Sequence, residues 1–239
     1  MKKLTLPLFA LATWAASPLY AHAATPSFVA AEQTRIMQIL PEPPAADSAV
    51  TRDELALLHR LQDGRTAQQA AQAVADDRDE SIFIYRDVLG DKFNAALLPV
   101  TAAFSARVKN DEEINTLPAK QGYHRVRPYN LDKTLQPICK TKTKDDSYPS
   151  GHTTAGYLQA LALIELVPEK RDAILARAAS YGNNRLVCGV HYPSDVQASK
   201  LLAYSVHAVM ANNPQYQKEM DAARSELRKA LGLPPMSVN

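Results

Sequence analysis

The sequence predicts an all-α fold in a single domain. Only 8 of its 239 residues are glycine, while residue types with high helix propensity, alanine and leucine among them, are frequent. No stretch keeps the strict alternation of a half-buried strand, and the sequence has no internal repeat. Apolar residues instead recur at helical spacing, as they do at Phe93, Leu97, Val100, Phe104 and Val108.

The predicted helices begin at recognisable signals. Thr51, followed by Glu54 three residues later, fits a capping box. Ser150 and Ser194 are suited to cap later helices, and Pro168 to open one. The helices predicted from these signals and from the apolar spacing cover residues 28–40, 51–61, 66–75, 82–89, 92–109, 150–166, 194–210 and segments that follow 168 and 214.

Residues 115–148 form the longest stretch without a helical pattern. They contain prolines, several lysines and the pair Asp145-Asp146. A stretch of this length without secondary structure is more often functional than a mere connection. We therefore expect a functional loop here.

The N-terminus predicts export. Lys2 and Lys3 precede a short apolar run, and Ala21-His22-Ala23 has the small-x-small pattern of a signal-peptidase site. The apolar run is too short to span a bilayer. We expect residues 1–23 to be a removed secretory signal and residues 24–239 to form one domain in the periplasm.

The charge balance excludes some classes of partner. The chain has 27 Lys and Arg residues against 25 Asp and Glu residues, and the predicted signal removes two lysines. A nearly neutral mature protein has no global cationic field, so neither nucleic acid nor an anionic membrane is indicated as a partner. No later segment approaches the ~20 apolar residues of a membrane helix.

Cys139 and Cys188 are the two cysteines of the chain. In an exported protein an isolated pair predicts a disulfide, and closing a loop of this size stabilises a fold by about 4 kcal/mol on the chain-entropy model. The spacing of a structural metal site is absent. The bond would tie the loop after Arg127 to the segment that contains Arg185.

The tetrapeptide at residues 149–152 suggests an anion site. Ser150 as an N-cap and Gly151 without a side chain leave backbone N–H groups at the positive end of a helix. Gly151 allows close approach of a ligand, and Ser150 can donate to a phosphate oxygen. Alone this is an ordinary capped helix, but His152 in the first turn would face the same anion.

Two further groups of residues indicate a phosphate site when they are considered together with that tetrapeptide. Lys120 offers a point charge and Arg127 a planar fork for phosphate oxygens, although a loop that also contains Arg125 is ordinarily a solvated basic run. Downstream, Pro193 places His191 on a turn before a helix. There Asp195 can fix the tautomer of that histidine and prepare it as a nucleophile or base.

Together these groups resemble the phosphatase motif of the type 2 phosphatidic acid phosphatase superfamily. They stand here as KQGYHRVRP (120–128), PSGH (149–152) and NRLVCGVHYPSD (184–195), a motif core over residues 120–195. The secreted context and SYPSGHT narrow the resemblance to bacterial class A non-specific acid phosphatases. Asn184 stands where the family has serine; since an amide can still donate a hydrogen bond, we expect a tuned site.

The resemblance implies a role for each motif residue. His191 would attack phosphorus and form a phosphohistidine, Asp195 would orient it, and His152 would protonate the leaving alcohol and then activate water. A neutral His191 with a protonated His152 favours mildly acidic conditions. The phosphate oxygens would be held by Lys120, Arg127, Arg185, Ser150 and the Gly151 amide.

The resemblance also implies a small phosphomonoester substrate, no metal, no other cofactor and, at family level, a homo-oligomer. An acidic cluster upstream could suggest a cation site, but a solvated helix end is the expected interpretation. Its members are Asp76, Asp77, Asp79 and Glu80.

Three alternatives remain open at this point. The same residues bind vanadate in the haloperoxidases of the superfamily, although those chains are generally larger. A lipid phosphatase would normally place the motif on membrane helices. A periplasmic phosphate-binding protein without turnover would not require both histidines and the aspartate, and Asn184 is the motif feature that hints at it.

Overall fold

One buried helix, Gly151–Leu166, lies at the centre of the computed structural model, which describes residues 26–236. The residues of this helix are apolar on nearly all sides, as expected for a helix surrounded by others. Helices Pro99–Tyr123, Arg171–Val187 and Pro193–Met210 pack around it. A Cβ on Gly156 would lie 2.5 Å from the Tyr181 ring, so glycine permits the close approach of two of these helices.

The described residues form helices and connecting turns and contain no strand, which confirms the prediction of an all-α fold. The predicted signal, residues 1–23, lies outside them. No helix among the described residues has both the length and the apolar character of a membrane span. The α-helices are α1 Ala31–Thr34, α2 Ile36–Ile39, α3 Ala49–Gly64, α4 Ala67–Asp76, α5 Arg86–Leu89, α6 Pro99–Tyr123, α7 Pro128–Leu131, α8 Gly151–Leu166, α9 Arg171–Val187, α10 Pro193–Met210 and α11 Pro214–Leu231, with 3-10 turns at Ile82–Tyr85 and Pro168–Lys170.

Helix α6 differs most from its prediction. It begins at Pro99 rather than at residue 92 and continues to Tyr123, so the first part of the predicted loop 115–148 is helical. The apolar spacing fades after residue 109 because polar side chains are buried in place of apolar ones. Asp111, for example, accepts the amides of Phe28 and Val29 at 2.9 and 2.6 Å, and burial raises its pKa to about 6.

The first helices also differ from the prediction. The single helix expected over residues 28–40 is divided at Arg35, whose φ is 47°. Helix α3 is capped by Ser48, whose hydroxyl accepts from the Thr51 amide at 3.1 Å, so Thr51 is not the cap. Glu54 forms no capping box because its carboxylate turns inward to Arg125.

The later helix starts lie close to their predicted positions. Ser150 caps α8, as expected. Pro168 opens a 3-10 turn that leads into α9. Helix α10 starts at Pro193, just before the predicted Ser194, with Tyr192 as its N-cap.

The predicted disulfide between Cys139 and Cys188 is present, with the two Cα atoms 5.3 Å apart. The Ile138 amide donates to the Cys188 carbonyl at 3.1 Å beside it. These two bonds attach the loop after α7 to the end of α9. The loop is thereby held against the helix that contains Arg185.

Candidate active site

The predicted site residues meet at a cavity of about 430 Å³ beside the start of α8. Its walls come from α6, the loop before α8, the turn after α4 and the segments around residues 185 and 191. Six of the eight predicted residues line it: Lys120, Arg127, Gly151, His152, Arg185 and His191. The other two, Ser150 and Asp195, are fully buried directly behind it.

His191 is bound at both ring nitrogens. Its Nδ1 lies 3.1 Å from Oδ2 of Asp195, and its Nε2 lies 2.9 Å from Nη1 of Arg127. A carboxylate only accepts and a guanidinium only donates, so Nδ1 carries the hydrogen and Nε2 presents its lone pair. Burial, and then the charges of Arg127, Arg185 and Lys120, hold the pKa of His191 well below its ordinary value.

Asp195 is fully buried and receives several hydrogen bonds. Its Oδ2 accepts from the Ser147 hydroxyl at 2.6 Å and from the Tyr192 amide at 2.9 Å. Its Oδ1 accepts from Arg125 at 2.6 Å. Burial raises the pKa of Asp195, and Arg125 together with these hydrogen bonds opposes that effect. The carboxylate that orients His191 is therefore fixed in position.

Arg125 is not part of a solvated basic run, which is the ordinary interpretation of its loop when that loop is taken alone. The side chain is buried, donates to Glu54 at 2.9 Å and lies over the Tyr192 ring at 3.9 Å. Glu54 belongs to α3, about 70 residues upstream. No local pattern pairs the two residues, because their contact depends on how α3 packs against the site.

Lys120 and Arg127 share one wall of the cavity. Lys120 donates to the carbonyls of Asp146 and Pro149 at 2.8 and 2.6 Å, and burial, followed by the charge of Arg127, lowers its pKa to about 8. Arg127 donates to the Asp146 carboxylate at 2.9 Å. The loop before α8 thus holds both cations toward the nucleophile.

The start of α8 is built as the sequence suggested. The Ser150 hydroxyl accepts from the amide and the hydroxyl of Thr153 at 3.3 and 3.0 Å, so its own hydrogen is left to donate. A Cβ on Gly151 would lie 2.6 Å from Oε1 of Glu112. Glycine therefore allows the close approach of this carboxylate to the helix start.

Arg185 enters the cavity from the end of α9. Its Nη1 donates to Oδ1 of Asp77 at 2.6 Å. Its buried Nε has no hydrogen-bond partner within residues 26–236. A buried donor without a partner is unusual in a folded protein, so this N–H is available to an anion.

His152 lies opposite these cations, stacked on Tyr181 with ring centres 6.4 Å apart. Its Nε2 is 3.2 Å from the Asp77 carbonyl, and its Nδ1 is 3.2 Å from Oε1 of Glu80. Burial, followed by the charge of Arg185, lowers the pKa of His152 to about 3. These surroundings favour the neutral form of the ring.

The acidic cluster after α4 is not the solvated helix end that was expected. Asp76 is buried, forms two hydrogen bonds with Arg177, and accepts from the Asn184 amide at 2.7 Å. Asp77 and Glu80 line the cavity. Asn184 therefore points to Asp76 rather than into the cavity, which the motif alone did not reveal. No group of three or more potential ligand side chains in the described part of the chain is arranged to hold a metal.

The chain is similar in sequence to known acid phosphatases. The PAP2 superfamily model matches residues 96–219. A non-specific acid phosphatase of Providencia stuartii is 30% identical over 203 residues, which cover 81% of each chain. An acid phosphatase of Zymomonas mobilis subsp. mobilis is 39% identical over 151 residues, 61% of this chain and 56% of that one. A non-specific acid phosphatase of Salmonella typhimurium is 33% identical over 199 residues, 79% and 78% of the two chains.

A solved transmembrane PAP2-type phosphatidylglycerolphosphate phosphatase from Bacillus subtilis covers 69% of this chain and 85% of its own, with 17% identity and a TM-score of 0.49. A likeness this weak supports no conclusion. The family model, by contrast, spans just over half of the chain, and the Providencia relative extends over most of it. The chain therefore belongs to the PAP2 superfamily and, within it, to the non-specific acid phosphatases.

Proposed function

We propose that this acid phosphatase hydrolyses a broad range of phosphate monoesters through a phosphohistidine on His191, without a metal ion. The observation that supports this proposal best is the pair His191–Asp195. One nitrogen of the ring is held by a buried carboxylate at 3.1 Å, and the other presents a lone pair beside a cavity lined by cations. A histidine oriented in this way is suited to nucleophilic attack.

The first step begins at Nε2 of His191. In the structure Arg127 donates to this lone pair, so its guanidinium has to turn from the ring to the phosphate oxygens before attack. As the nitrogen–phosphorus bond forms, the ester P–O bond breaks and its electron pair stays with the leaving oxygen. His152 gives that oxygen a proton.

The second step reverses the proton transfer. His152 takes a proton from water while the water oxygen bonds to phosphorus, and the bond to His191 breaks. Lys120, Arg127 and Arg185 surround the reacting group and neutralise its charge through both steps. With three cations and the helix start of α8 in place, the proposed reaction needs no metal ion.

A mildly acidic optimum follows from the electrostatics of His152. Its pKa of about 3 means that the ring is neutral before substrate binds. Arg185 repels a protonated His152. The negative charge of a bound phosphate dianion offsets this repulsion and so favours the protonated ring. The fraction of complexes with a protonated His152 then increases as the pH falls toward 5.

The surroundings of the cavity support a broad substrate range. Exposed side chains border its opening, where the leaving group would lie, and such side chains adapt to different shapes. They are Glu113, Leu117, Lys142 and Lys144. The Cys139–Cys188 disulfide, together with the predicted signal, supports action in the periplasm, where disulfides persist.

The test is hydrolysis of p-nitrophenyl phosphate at pH 5–7 in excess EDTA, by the wild-type protein and by His191→Ala. His59→Ala is the matched control, because His59 pairs with Asp132 away from the cavity. We expect turnover in EDTA that His191→Ala abolishes and His59→Ala retains. Turnover that EDTA removes, or that survives His191→Ala, would contradict the proposed mechanism.

A further inference from the structure

A second histidine–carboxylate pair lies on the acid side of the cavity. Oε1 of Glu80 is 3.2 Å from Nδ1 of His152, much as Oδ2 of Asp195 is 3.1 Å from Nδ1 of His191. Glu80 stands outside the three motif groups, in the turn between α4 and the 3-10 turn Ile82–Tyr85. Glu80 has no role in the proposed mechanism.

The backbone of this turn is held firmly beneath His152. The Tyr181 hydroxyl donates to the Asp79 carbonyl at 2.6 Å, and the Gln159 amide donates to the Glu80 carbonyl at 3.4 Å. Both donors come from helices that pack against the site, α9 and α8. The position of the Glu80 carboxylate is therefore set by the same core that positions His152.

The Glu80 side chain is also fixed at its far oxygen. Nζ of Lys109 lies 3.4 Å from Oε2 of Glu80 and 2.7 Å from Oε2 of Glu112. The other oxygen of Glu112 accepts from Thr116 at 3.2 Å. Lys109 thus joins two carboxylates that would otherwise repel each other, and one of them faces the imidazole.

These contacts define the two nitrogens of His152. Nε2 faces the Asp77 carbonyl, which only accepts, so Nε2 carries a hydrogen. Nδ1 faces the Glu80 carboxylate, which can accept its hydrogen when the ring is protonated. Burial raises the pKa of Glu80, and the charge of Lys109 opposes that effect. The charged groups around the pair are Asp77, Lys109, Glu112, Arg185 and, when protonated, His191.

We infer that Glu80 is a positioning residue for His152: it holds Nδ1 so that Nε2, once the leaving oxygen replaces the Asp77 carbonyl as its acceptor, delivers the proton to that oxygen. This inference rests on the proposed function. When the ester P–O bond breaks, its electron pair stays on oxygen and receives the proton from Nε2, and the imidazolium becomes neutral. Nδ1 keeps its hydrogen and Glu80 its negative charge. In the second step Nε2 recovers a proton from water.

The test compares two leaving groups. p-Nitrophenolate leaves as a stable anion, whereas the alkoxide of glycerol 2-phosphate requires a proton. In Glu80→Gln we expect kcat/KM to fall by about tenfold to hundredfold for glycerol 2-phosphate and by less than about threefold for p-nitrophenyl phosphate, since loss of assisted proton transfer has effects of this order. Glu80→Asp should recover part of the loss.

The matched control is Glu113→Gln, which removes the same charge from the cavity without a contact to His152. It should lower kcat/KM weakly and by the same factor for both substrates. An equal loss for both substrates in Glu80→Gln, or the same selective loss in Glu113→Gln, would overturn the inference. If Glu80→Gln fails to fold, as judged by thermal unfolding, Glu80→Asp is measured instead. It should show the same selective loss of kcat/KM for glycerol 2-phosphate, but a smaller one.

Trapping of the phosphoenzyme separates the two proposals. If wild-type protein forms a phosphohistidine but the leaving-group contrast is absent, the role of Glu80 is refuted and the proposed function stands. If wild-type protein hydrolyses both esters without forming a phosphohistidine, the proposed function fails and the inference fails with it.

Discussion

Arg125 donates to Oδ1 of Asp195 across 2.6 Å, inside the protein and out of contact with the cavity. The carboxylate that orients His191 is thus held by Arg125, a residue of the first motif group to which the resemblance assigns no role. Glu54 accepts from the same guanidinium. The nucleophile therefore depends on α3, a helix far upstream in sequence.

Removal of Arg125 should weaken both fold and activity. Arg125→Gln leaves two buried carboxylates without their cation, and breaking a buried pair costs about 3–5 kcal/mol. The pKa of Asp195, already raised by burial, should rise further, so less of it is ionised at low pH. We expect the activity of the variant, relative to wild type, to fall as the pH is lowered from 7 to 5.

Urea unfolding and p-nitrophenyl phosphate turnover measure the two effects. The control is Arg86→Gln, because Arg86 pairs with Asp91 on the surface, where the two side chains are 55% and 95% exposed, and such pairs contribute little. A loss of activity in Arg125→Gln that is independent of pH would contradict the proposed link to Asp195.

Gly151→Ala should reduce activity through a specific collision. The added Cβ would meet Oε1 of Glu112 at 2.6 Å, and to turn away that carboxylate has to break its hydrogen bonds with Lys109 or Thr116. We expect the KM for p-nitrophenyl phosphate to rise about tenfold or more, because residues in contact couple by up to about 3 kcal/mol.

The double variant Gly151→Ala/Glu112→Ala checks this cause. Removing the carboxylate removes the collision, so the double variant should have a lower KM than Gly151→Ala alone. A double variant whose defect equals the sum of the two single defects would indicate that glycine is required for another reason.

Phosphate binding should be coupled to proton uptake by His152. The pKa of this residue is about 3 before binding, and a bound dianion raises it. A pKa that is higher in the complex means that binding takes up a proton, so phosphate affinity should increase as the pH falls from 8 to 5. Titration calorimetry in two buffers of different ionisation enthalpy measures the number of protons taken up.

His152→Asn is the comparison that isolates this effect from the protonation of phosphate itself. It should bind phosphate with fewer protons taken up than wild type at the same pH. Equal uptake by the two proteins would show that His152 does not change its protonation state on binding.

Asn184→Ser restores the family's residue and should change activity by less than about threefold. The Asn184 amide donates to Asp76 at 2.7 Å and does not line the cavity. Loss of one hydrogen bond of this kind costs about 1 kcal/mol of stability. Thermal unfolding and kcat/KM measure the outcome, and a change in kcat/KM of tenfold or more would mean that the amide acts on the substrate directly.

Asp76→Asn provides the contrasting change. It leaves Arg177 without its buried carboxylate partner, so its effect on stability should exceed that of Asn184→Ser. If the two variants were equally stable, the pairing of Asp76 with Arg177 would not stabilise the fold more than the Asn184 hydrogen bond does.

The sequence was most informative where function depends on local spacing. His191 and Asp195 are four residues apart and meet across one helix start, and Ser150 caps the helix that its position suggested. In both cases the partners are near one another in the chain. The all-α fold was also predictable, because it depends on composition and apolar period over many residues.

Long-range polar contacts were not predictable in the same way. Asp111 is buried against the amides of residues 28 and 29. A polar residue at a buried position interrupts the apolar spacing, so the second half of α6 was not predicted to be helical. Arg125 and Asp76 looked like solvated charges because their partners, Glu54 and Arg177, lie far away along the chain. Only the packed fold shows that these charges are paired.

The most direct measurement is to mix the protein with p-nitrophenyl phosphate at pH 5–6, stop the reaction with alkali within milliseconds, and identify the phosphorylated peptide by mass spectrometry. The expected result is one acid-labile phosphohistidine at His191, which accumulates more in a variant with slowed dephosphorylation such as His152→Asn and is absent from His191→Ala. A phosphoryl group on another residue, or turnover by His191→Ala at the wild-type rate, would contradict nucleophilic attack by His191.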